Sequence, residues 1–163
     1  MIRSPLMPWL VALALSTTAV AQAACPSTPT ASRFSYSANG AEVTDSKTGL
    51  VWARCSVGQS WSGSACTGTA STHTHEQALQ LAQAASGWRL PNVKELSTIA
   101  DKGCQSPAID SAAFPATPGN KYWSSSPYVG DPGHAWFVEF DLGYVYSIYH
   151  ASPHSVRLVR VSQ

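Results

Sequence analysis

Tyrosine and histidine side chains near the C-terminus could form a ligand-binding surface. Tyrosine offers a large contact area and a hydroxyl group at low conformational-entropy cost, which favours it in recognition surfaces. Tyr144 and Tyr146 are two residues apart in a predicted strand, so both side chains should lie on one face. The alternative is an ordinary amphipathic hairpin whose tyrosines cover a helix. The candidate ligand-binding residues are Tyr128, Asp131, His134, Tyr144, Tyr146, Tyr149, His150 and His154.

The same side chains do not predict a metal centre or a catalytic site. His73, His75 and Glu76 are close in sequence, but zinc requires three or four convergent ligands, and no spacing here specifies them. Glu139 and Asp141 should share a strand face, where a solvated pair of carboxylates is the simpler interpretation. The sequence contains neither a Gly-x-Ser-x-Gly nor a His-Glu-x-x-His motif. We therefore predict a protein that is not an enzyme and that has no metal or other cofactor.

Arginine and tryptophan residues in short apolar segments are predicted to be structural. Arg89 could bind a carboxylate or a sulfate, but an ion pair with Glu95 or another acid is the simpler interpretation. Arg157 and Arg160 lie in the predicted last strand and should tie it to the body of the domain. Tryptophans can stack on sugar rings, but those in apolar strand segments are expected to pack in the core. They are Trp52, Trp88, Trp123 and Trp136.

Residues 1–23 are typical of a secretory signal peptide. Arg3 is followed by a mostly apolar run from Trp9 to Val20, and small residues precede the expected cleavage site. This run is too short to span a membrane, and no later run approaches about 18 apolar residues. Removing Arg3 lowers the ten Lys and Arg to nine, which equals the nine Asp and Glu. A neutral mature chain without a basic cluster does not favour nucleic-acid binding.

The four cysteines predict two disulfides, because an even number of cysteines in an exported chain is usually paired. We favour Cys55–Cys66, which would close a short loop rich in Gly and Ser, and Cys25–Cys104, which would fix the mature N-terminus. Alternatively, Cys25 carries a lipid, because it follows an apolar run and two alanines. Gln22 disfavours this alternative, since a lipoprotein signal usually has Leu there.

Two helices and several strands should position these side chains, which predicts an α+β fold. Thr74 and Asn92 each begin a capping box, with Gln77 and Glu95 three residues later. Residues 24–40, rich in Ser, Thr and Pro, are predicted to be a tether, and residues 41–163 a single domain in which order begins near Ala41. The helices should stop near Gly87 and Gly103, and the strands are expected around Val43, Leu50 to Trp52, Lys121 to Ser125, Ala135 to Asp141, Tyr144 to Tyr149 and Val156 to Val161.

Several short motifs, in a fixed order, resemble a known family. They are Val43-Thr44-Asp45 with Thr48-Gly49-Leu50-Val51-Trp52, Trp88-Arg89-Leu90-Pro91 with Lys94-Glu95-Leu96, Tyr122-Trp123-Ser124-Ser125, Ala135-Trp136 and Val156-Arg157-Leu158-Val159-Arg160. Together they resemble the Lcl C-terminal domain family, named for the Legionella collagen-like protein. The resemblance implies a C-type-lectin-like fold, related to the formylglycine-generating sulfatase-modifying domains. Such a fold has two short helices, small antiparallel sheets and long ordered loops that display ligand-binding side chains.

The resemblance implies binding outside the cytoplasm without specifying the ligand. The namesake is a bacterial surface adhesin whose domain follows a trimeric collagen-like stalk and binds sulfated glycosaminoglycans. This chain has no Gly-x-y repeat, and its scattered basic residues do not predict polyanion binding. We expect an exported, monomeric, lectin-like domain that recognises a glycan or a protein at the bacterial envelope, in the periplasm or at the cell surface. The alternative function is a structural subunit of a surface appendage or envelope complex.

Overall fold

Residues 33–162 are described by a computed structural model of the chain, and they form two helices and eleven strands. The predicted α+β class is confirmed. The helices are α1 (His75–Ala84) and α2 (Val93–Thr98). The strands are β1 (Phe34–Tyr36), β2 (Glu42–Asp45), β3 (Leu50–Ala53), β4 (Ser60–Trp61), β5 (Cys66–Thr67), β6 (Thr72–His73), β7 (Lys121–Pro127), β8 (His134–Glu139), β9 (Tyr144–Tyr149), β10 (His154–Ser155) and β11 (Val159–Val161).

The strands form three small sheets. A four-stranded antiparallel sheet has the order β1-β2-β3-β11, and a five-stranded sheet has the order β6-β10-β7-β8-β9. Strands β10 and β7 run parallel, while the other pairs of the five-stranded sheet are antiparallel. A two-stranded ribbon, β4-β5, lies within the Gly/Ser-rich loop.

The five-stranded sheet separates two hydrophobic clusters. On one face, α2 and the four-stranded sheet enclose a cluster that contains Trp52, Leu96, Phe114 and Val138. On the other face, Ala78 and Ala82 of α1 pack in a cluster with Trp123, Ala135 and Phe137 of the sheet. Because side chains alternate along a strand, β8 is buried on both faces.

Both helices begin at the residues that the sequence indicates. The Thr74 hydroxyl accepts a hydrogen bond from the amide of Gln77, whose side chain accepts one from the amide of Thr74. Asn92 and Glu95 make the same reciprocal pair at distances of 2.9 Å. The predicted stop of α2 at Gly103 is wrong, because the helix ends at Thr98. Beyond it, the backbone turns so that Ala100 bridges Ile109, which is incompatible with further helix.

The predicted onset of order near Ala41 is also wrong, because β1 lies within the predicted tether. Phe34 is buried and contacts the ring of Phe114 at 5.5 Å, edge to face. The Arg33 guanidinium donates two hydrogen bonds of 2.8 Å to the Asp45 carboxylate and a third to the Thr98 carbonyl. The predicted signal peptide at residues 1–23 lies outside the described residues, so it stays a prediction.

The predicted last strand divides into β10 and β11, which belong to different sheets. Arg157 lies between them, is completely buried and donates to the carbonyls of Ala53 and Arg54 and to the hydroxyls of Ser56 and Thr117. The Arg157 side chain therefore links the connection between β10 and β11 to the end of β3 and to the coil that contains Thr117. No carboxylate pairs with it among residues 33–162.

The other motif residues follow the predictions in part. Arg89 forms a bidentate ion pair with Glu95, with both N–O distances at 2.7 Å, and Arg160 pairs with Glu42 at 2.6 Å. Trp52 and Trp123 are fully buried, as expected for core residues, whereas Trp88 and Trp136 are only half-buried. The ion pairs of Arg89 and Arg160 therefore stabilise the scaffold of the domain.

One predicted disulfide is confirmed. Cys55 and Cys66 are bonded, with Cα atoms 5.4 Å apart, and the bond closes the loop that contains β4. The other predicted pair, Cys25–Cys104, includes Cys25, which lies outside the described residues, and stays a prediction. The described chain contains no helix that is long and apolar enough to cross a membrane.

Candidate ligand-binding face

The predicted ligand-binding residues lie at two opposite ends of the five-stranded sheet. Tyr144, Tyr146 and His154 lie near the end where β7 and β9 begin and β8 finishes. The remaining residues surround the β7–β8 connection and the end of β9; they are Tyr128, Asp131, His134, Tyr149 and His150. The residues expected to form one surface therefore form two separate groups.

Strand register brings the first group together with residues that were not predicted. Lys121 pairs with Glu139, and Glu139 pairs with Tyr144, so these side chains form one row across three strands. In the next row on the same face, Trp123, Phe137 and Tyr146 are aligned. His154 joins this face, because its ring lies 5.0 Å from that of Trp123 and 6.0 Å from that of Phe137. We call Lys121, Phe137, Glu139, Tyr144, Tyr146 and His154 the aromatic face.

The tyrosines of the aromatic face lie side by side and are open to solvent. The ring centroids of Tyr144 and Tyr146 are 6.0 Å apart, and Tyr146 lies 6.2 Å from Phe137. Tyr144 is 45% exposed and Tyr146 is 54% exposed, whereas Phe137 is buried beneath its neighbours. The alternative in which the tyrosines cover a helix does not fit these exposures, because α1 packs on the cluster around Phe137 instead.

Two ammonium groups flank this row of rings. The Lys121 Nζ lies 5.4 Å from the centroid of Phe137, and the Lys102 Nζ lies 5.9 Å from the centroid of Tyr144. Both distances fall within the range of cation–π attraction. The negative charge of Glu139 lies between Lys121 and Tyr144 in the same row. The aromatic face therefore carries charges of both signs at its margin.

A polar cavity of about 290 Å³ adjoins the aromatic face. Its lining includes Lys121, Glu139, His154 and Ser155. The His154 Nε2 and the Ser155 Oγ are buried and make no hydrogen bond within the described part of the chain. Ser155 is completely inaccessible to solvent. Buried polar atoms nearly always have a partner, so the Nε2 of His154, a residue that is only partly buried, marks a place where a ligand could supply one.

The imidazole of His154 is neutral at physiological pH. Burial lowers its pKa to about 4, and the positive charge of Lys121 acts in the same direction. A neutral imidazole has one nitrogen that donates a hydrogen bond and one that accepts. His154 can therefore interact with a hydroxyl group in either role.

The residues of the second group mainly contact one another and neighbouring aromatic rings. Tyr128 packs edge to face on Trp136 at 5.1 Å, and the His134 Nδ1 lies 2.9 Å from an oxygen of Asp131. Tyr149 lies 5.9 Å from His134. His150 stacks on His75 at 4.7 Å, and burial lowers the pKa of His75. A second cavity, of about 550 Å³, borders Tyr149 and His150 together with Leu79 of α1.

Metal-binding geometry is not found in residues 33–162, where no group of three His, Cys, Asp or Glu side chains is arranged to hold an ion. The prediction that Glu139 and Asp141 share a strand face is wrong, because β8 ends at Glu139. Asp141 lies beyond the end of β8, and its Oδ1 accepts a hydrogen bond of 2.5 Å from the Ser106 hydroxyl. Asp141 therefore stabilises the turn at Ser106, while Glu139 lies on the aromatic face.

Lys102, Lys121 and Phe137 were not among the binding residues predicted from the sequence. The alternation of β8 places Phe137 and Glu139 on one face, and this signal is visible in the sequence. Lys121 joins that face only through the register of β7 with β8, which no local pattern specifies.

The model of the Lcl C-terminal domain family matches residues 41–160, about three quarters of the chain. This match shows that the chain belongs to the Lcl C-terminal domain family. A search of curated proteins finds no match to the sequence.

Proposed function

We propose that this member of the Lcl C-terminal domain family is a non-enzymatic binding domain that recognises an uncharged glycan on its aromatic face. The observation that carries the proposal is the pair of exposed tyrosines, Tyr144 and Tyr146, beside a cavity lined by the unpartnered imidazole of His154. Carbohydrates have both apolar C–H surfaces and hydroxyl groups, so a site for them needs aromatic rings and hydrogen-bonding groups together.

The polar cavity supports recognition of hydroxyl groups. Lys121 supplies donors, the Glu139 carboxylate accepts, and the His154 imidazole can do both. A volume of about 290 Å³ lies at the lower end of the range for small-molecule sites, which suits a single sugar ring. The tyrosines would then contact the neighbouring ring of an oligosaccharide.

The use of the arginines supports a neutral ligand over a sulfated one. Arg33, Arg89 and Arg160 are each paired with a carboxylate. Arg54 and Arg157 are buried and donate to carbonyl or hydroxyl oxygens of the scaffold. Arginine is the preferred residue for bidentate sulfate recognition, and these five side chains are already occupied.

The fold and the location belong to the same proposal. Two helices on small sheets, with long ordered connections, are compatible with the C-type-lectin-like fold that the family resemblance implies. The Cys55–Cys66 disulfide supports an oxidising location, because disulfides persist mainly outside the cytoplasm. We place the domain in the periplasm or at the bacterial cell surface, after cleavage of a signal peptide at residues 1–23.

Glycan-array binding and calorimetry with residues 24–163 test the proposal. We expect saturable binding to a neutral oligosaccharide, which Tyr146→Ala abolishes. Tyr149→Ala is the matched control, because Tyr149 is 57% exposed on the same strand but belongs to the other group. Equal losses in the two variants, or no binding to any glycan on the array, would contradict the aromatic face as the site.

A second candidate is a structural role in an envelope complex. The cavity of about 550 Å³ beside Leu79, Tyr149 and His150 favours it, because exposed apolar residues around a depression suit a protein contact. Co-purification of a stoichiometric envelope subunit, lost in Leu79→Glu and kept in Tyr146→Ala, would support this second function.

A further inference from the structure

Strand β9 forms an open edge of the five-stranded sheet. It is the last strand in the order β6-β10-β7-β8-β9, and within residues 33–162 no strand pairs with its outer side. Its six residues, Tyr-Val-Tyr-Ser-Ile-Tyr, include no charge, proline or glycine. Soluble proteins normally protect a sheet edge with such residues or with a bulge, and β9 pairs with β8 in unbroken register.

The hydrogen-bonding groups that β9 offers outward can be identified. The amide of His150 donates to the carbonyl of Gly133, so this pair is hydrogen-bonded across the β8–β9 ladder. The direction of the backbone hydrogen bonds alternates along an antiparallel strand. The N–H and C=O groups of Tyr144, Tyr146 and Ile148 therefore point toward β8, and those of Val145 and Ser147 point outward. The amide of Phe140 donates to Asn120, which places the even-numbered residues of β8 on its β7 side and agrees with this alternation.

We propose that β9 pairs antiparallel with β9 of a second copy of this chain, across a two-fold axis at Tyr146, so that the domain is a dimer and not the monomer expected from the sequence. In this register Val145 of one copy and Ser147 of the other form a hydrogen-bonded pair, and the symmetry generates the same pair again. The outward N–H and C=O groups of Val145 and Ser147 in both copies are then satisfied by identical groups. Tyr146 faces Tyr146 of the second copy on the aromatic face, and Tyr144 faces Ile148.

Charge favours a second copy in this orientation. The Lys102 ammonium lies beside Tyr144 at the start of β9, and the Asp131 carboxylate lies beside His134, which contacts Tyr149 at the other end. An antiparallel arrangement brings the positive end of one copy to the negative end of the other, whereas a parallel one brings like charges together. A formal net charge of only +1 for the whole chain adds little repulsion.

The symmetry limits the assembly to two chains. An edge that pairs with itself across a two-fold axis is used completely, so the contact closes and does not propagate into a fibre. The paired sheets would also make the two aromatic faces continuous through the Tyr146 rings. The dimer requires no ligand, and its formation is measured in the absence of one.

Sedimentation velocity of residues 24–163 tests the pairing through Ser147. We expect a dimer for the unmodified chain and a monomer for Ser147→Pro, because proline removes an outward N–H that β8 does not use. Ser147→Ala is the control and should stay dimeric. Circular dichroism establishes whether the proline variant is folded. A monomeric unmodified chain over the micromolar range, or a folded proline variant that remains dimeric, would overturn the proposal.

Cysteine cross-linking gives a second measurement that does not depend on the proline variant. Residues that face each other in a non-hydrogen-bonded antiparallel pair have Cα atoms roughly 4.5 Å apart, which is within disulfide range. Tyr146→Cys should therefore form a covalent dimer on mild oxidation. Tyr144→Cys is the matched control, since its counterpart would be four residues away along the strand, roughly 13 Å. Equal cross-linking of the two variants, or none with Tyr146→Cys, would exclude the two-fold axis at Tyr146.

Discussion

Replacing the buried arginine of the core is expected to destabilise the domain more than breaking any surface ion pair. Arg157 is completely buried, and its guanidinium donates to two carbonyls and to the hydroxyls of Ser56 and Thr117. It also lies over the ring of Phe114, with its Cζ 4.9 Å from the centroid. Arg157→Met keeps the aliphatic volume and removes every donor, so the acceptors remain buried without this partner.

The expected loss follows from those acceptors. A hydrogen bond to a charged group contributes about 1.5–3 kcal/mol, but such contributions are not additive within one network. Removing the guanidinium charge also relieves the free-energy cost of burying it. This cost is visible in the pKa of Arg157, which burial lowers. We expect a net loss of about 3–5 kcal/mol in the free energy of unfolding, which is a large part of the total for a domain of this size.

Urea denaturation followed by tryptophan fluorescence measures this loss. With an m-value of about 2 kcal/mol/M, the midpoint should fall by about 1.5–2.5 M. Arg89→Met is the matched control, because Arg89 makes a bidentate ion pair but its side chain is 43% exposed. Solvent screening limits that pair to about 1 kcal/mol or less. Similar midpoints for the two variants would refute the role assigned to Arg157.

Two further predictions concern pH and the disulfide. The pKa of His154 is lowered to about 4 in the folded state, so the unfolded state binds more protons below pH 6.5. The free energy of unfolding should therefore fall as the pH decreases from about 6.5 to about 4. Thermal melts of His154→Gln should show a weaker fall. Replacing Cys55 and Cys66 by serine opens a loop with a sequence separation of 11 and should cost about 3 kcal/mol in calorimetry. An unchanged pH profile, or a serine variant as stable as the original, would contradict the respective prediction.

The helix starts could be predicted from the sequence because the determining contacts are local. The amide of Gln77 and the hydroxyl of Thr74 meet within one turn, so the spacing alone specifies the cap. The same applies to Asn92 and Glu95. The location of β1 could not be predicted in this way, since Arg33 is held by Asp45 and by the carbonyl of Thr98, which is 65 residues distant. Such contacts form only after the chain has folded.

The candidate site was predictable to the extent that it depends on alternation along single strands. The period of two places Tyr144 and Tyr146 on one face, and the structure has them 6.0 Å apart. The addition of Lys121 depends on the pairing of β7 with β8, and a shift by one residue would place it on the opposite face. Tyr149 lies three residues after Tyr146, so the same period of two places it on the opposite face, where it contacts His134.

The distribution of charge explains why recognition is proposed at tyrosines in this domain. Arg33, Arg89 and Arg160 neutralise carboxylates, so the cationic groups best suited to sulfate serve the scaffold. Lys121 remains at the aromatic face, where Glu139 in the same row offsets its charge. A polyanion would gain little there, whereas a hydroxylated ring can use the donor, the acceptor and the aromatic surface together. The physical chemistry of the face therefore favours an uncharged ligand.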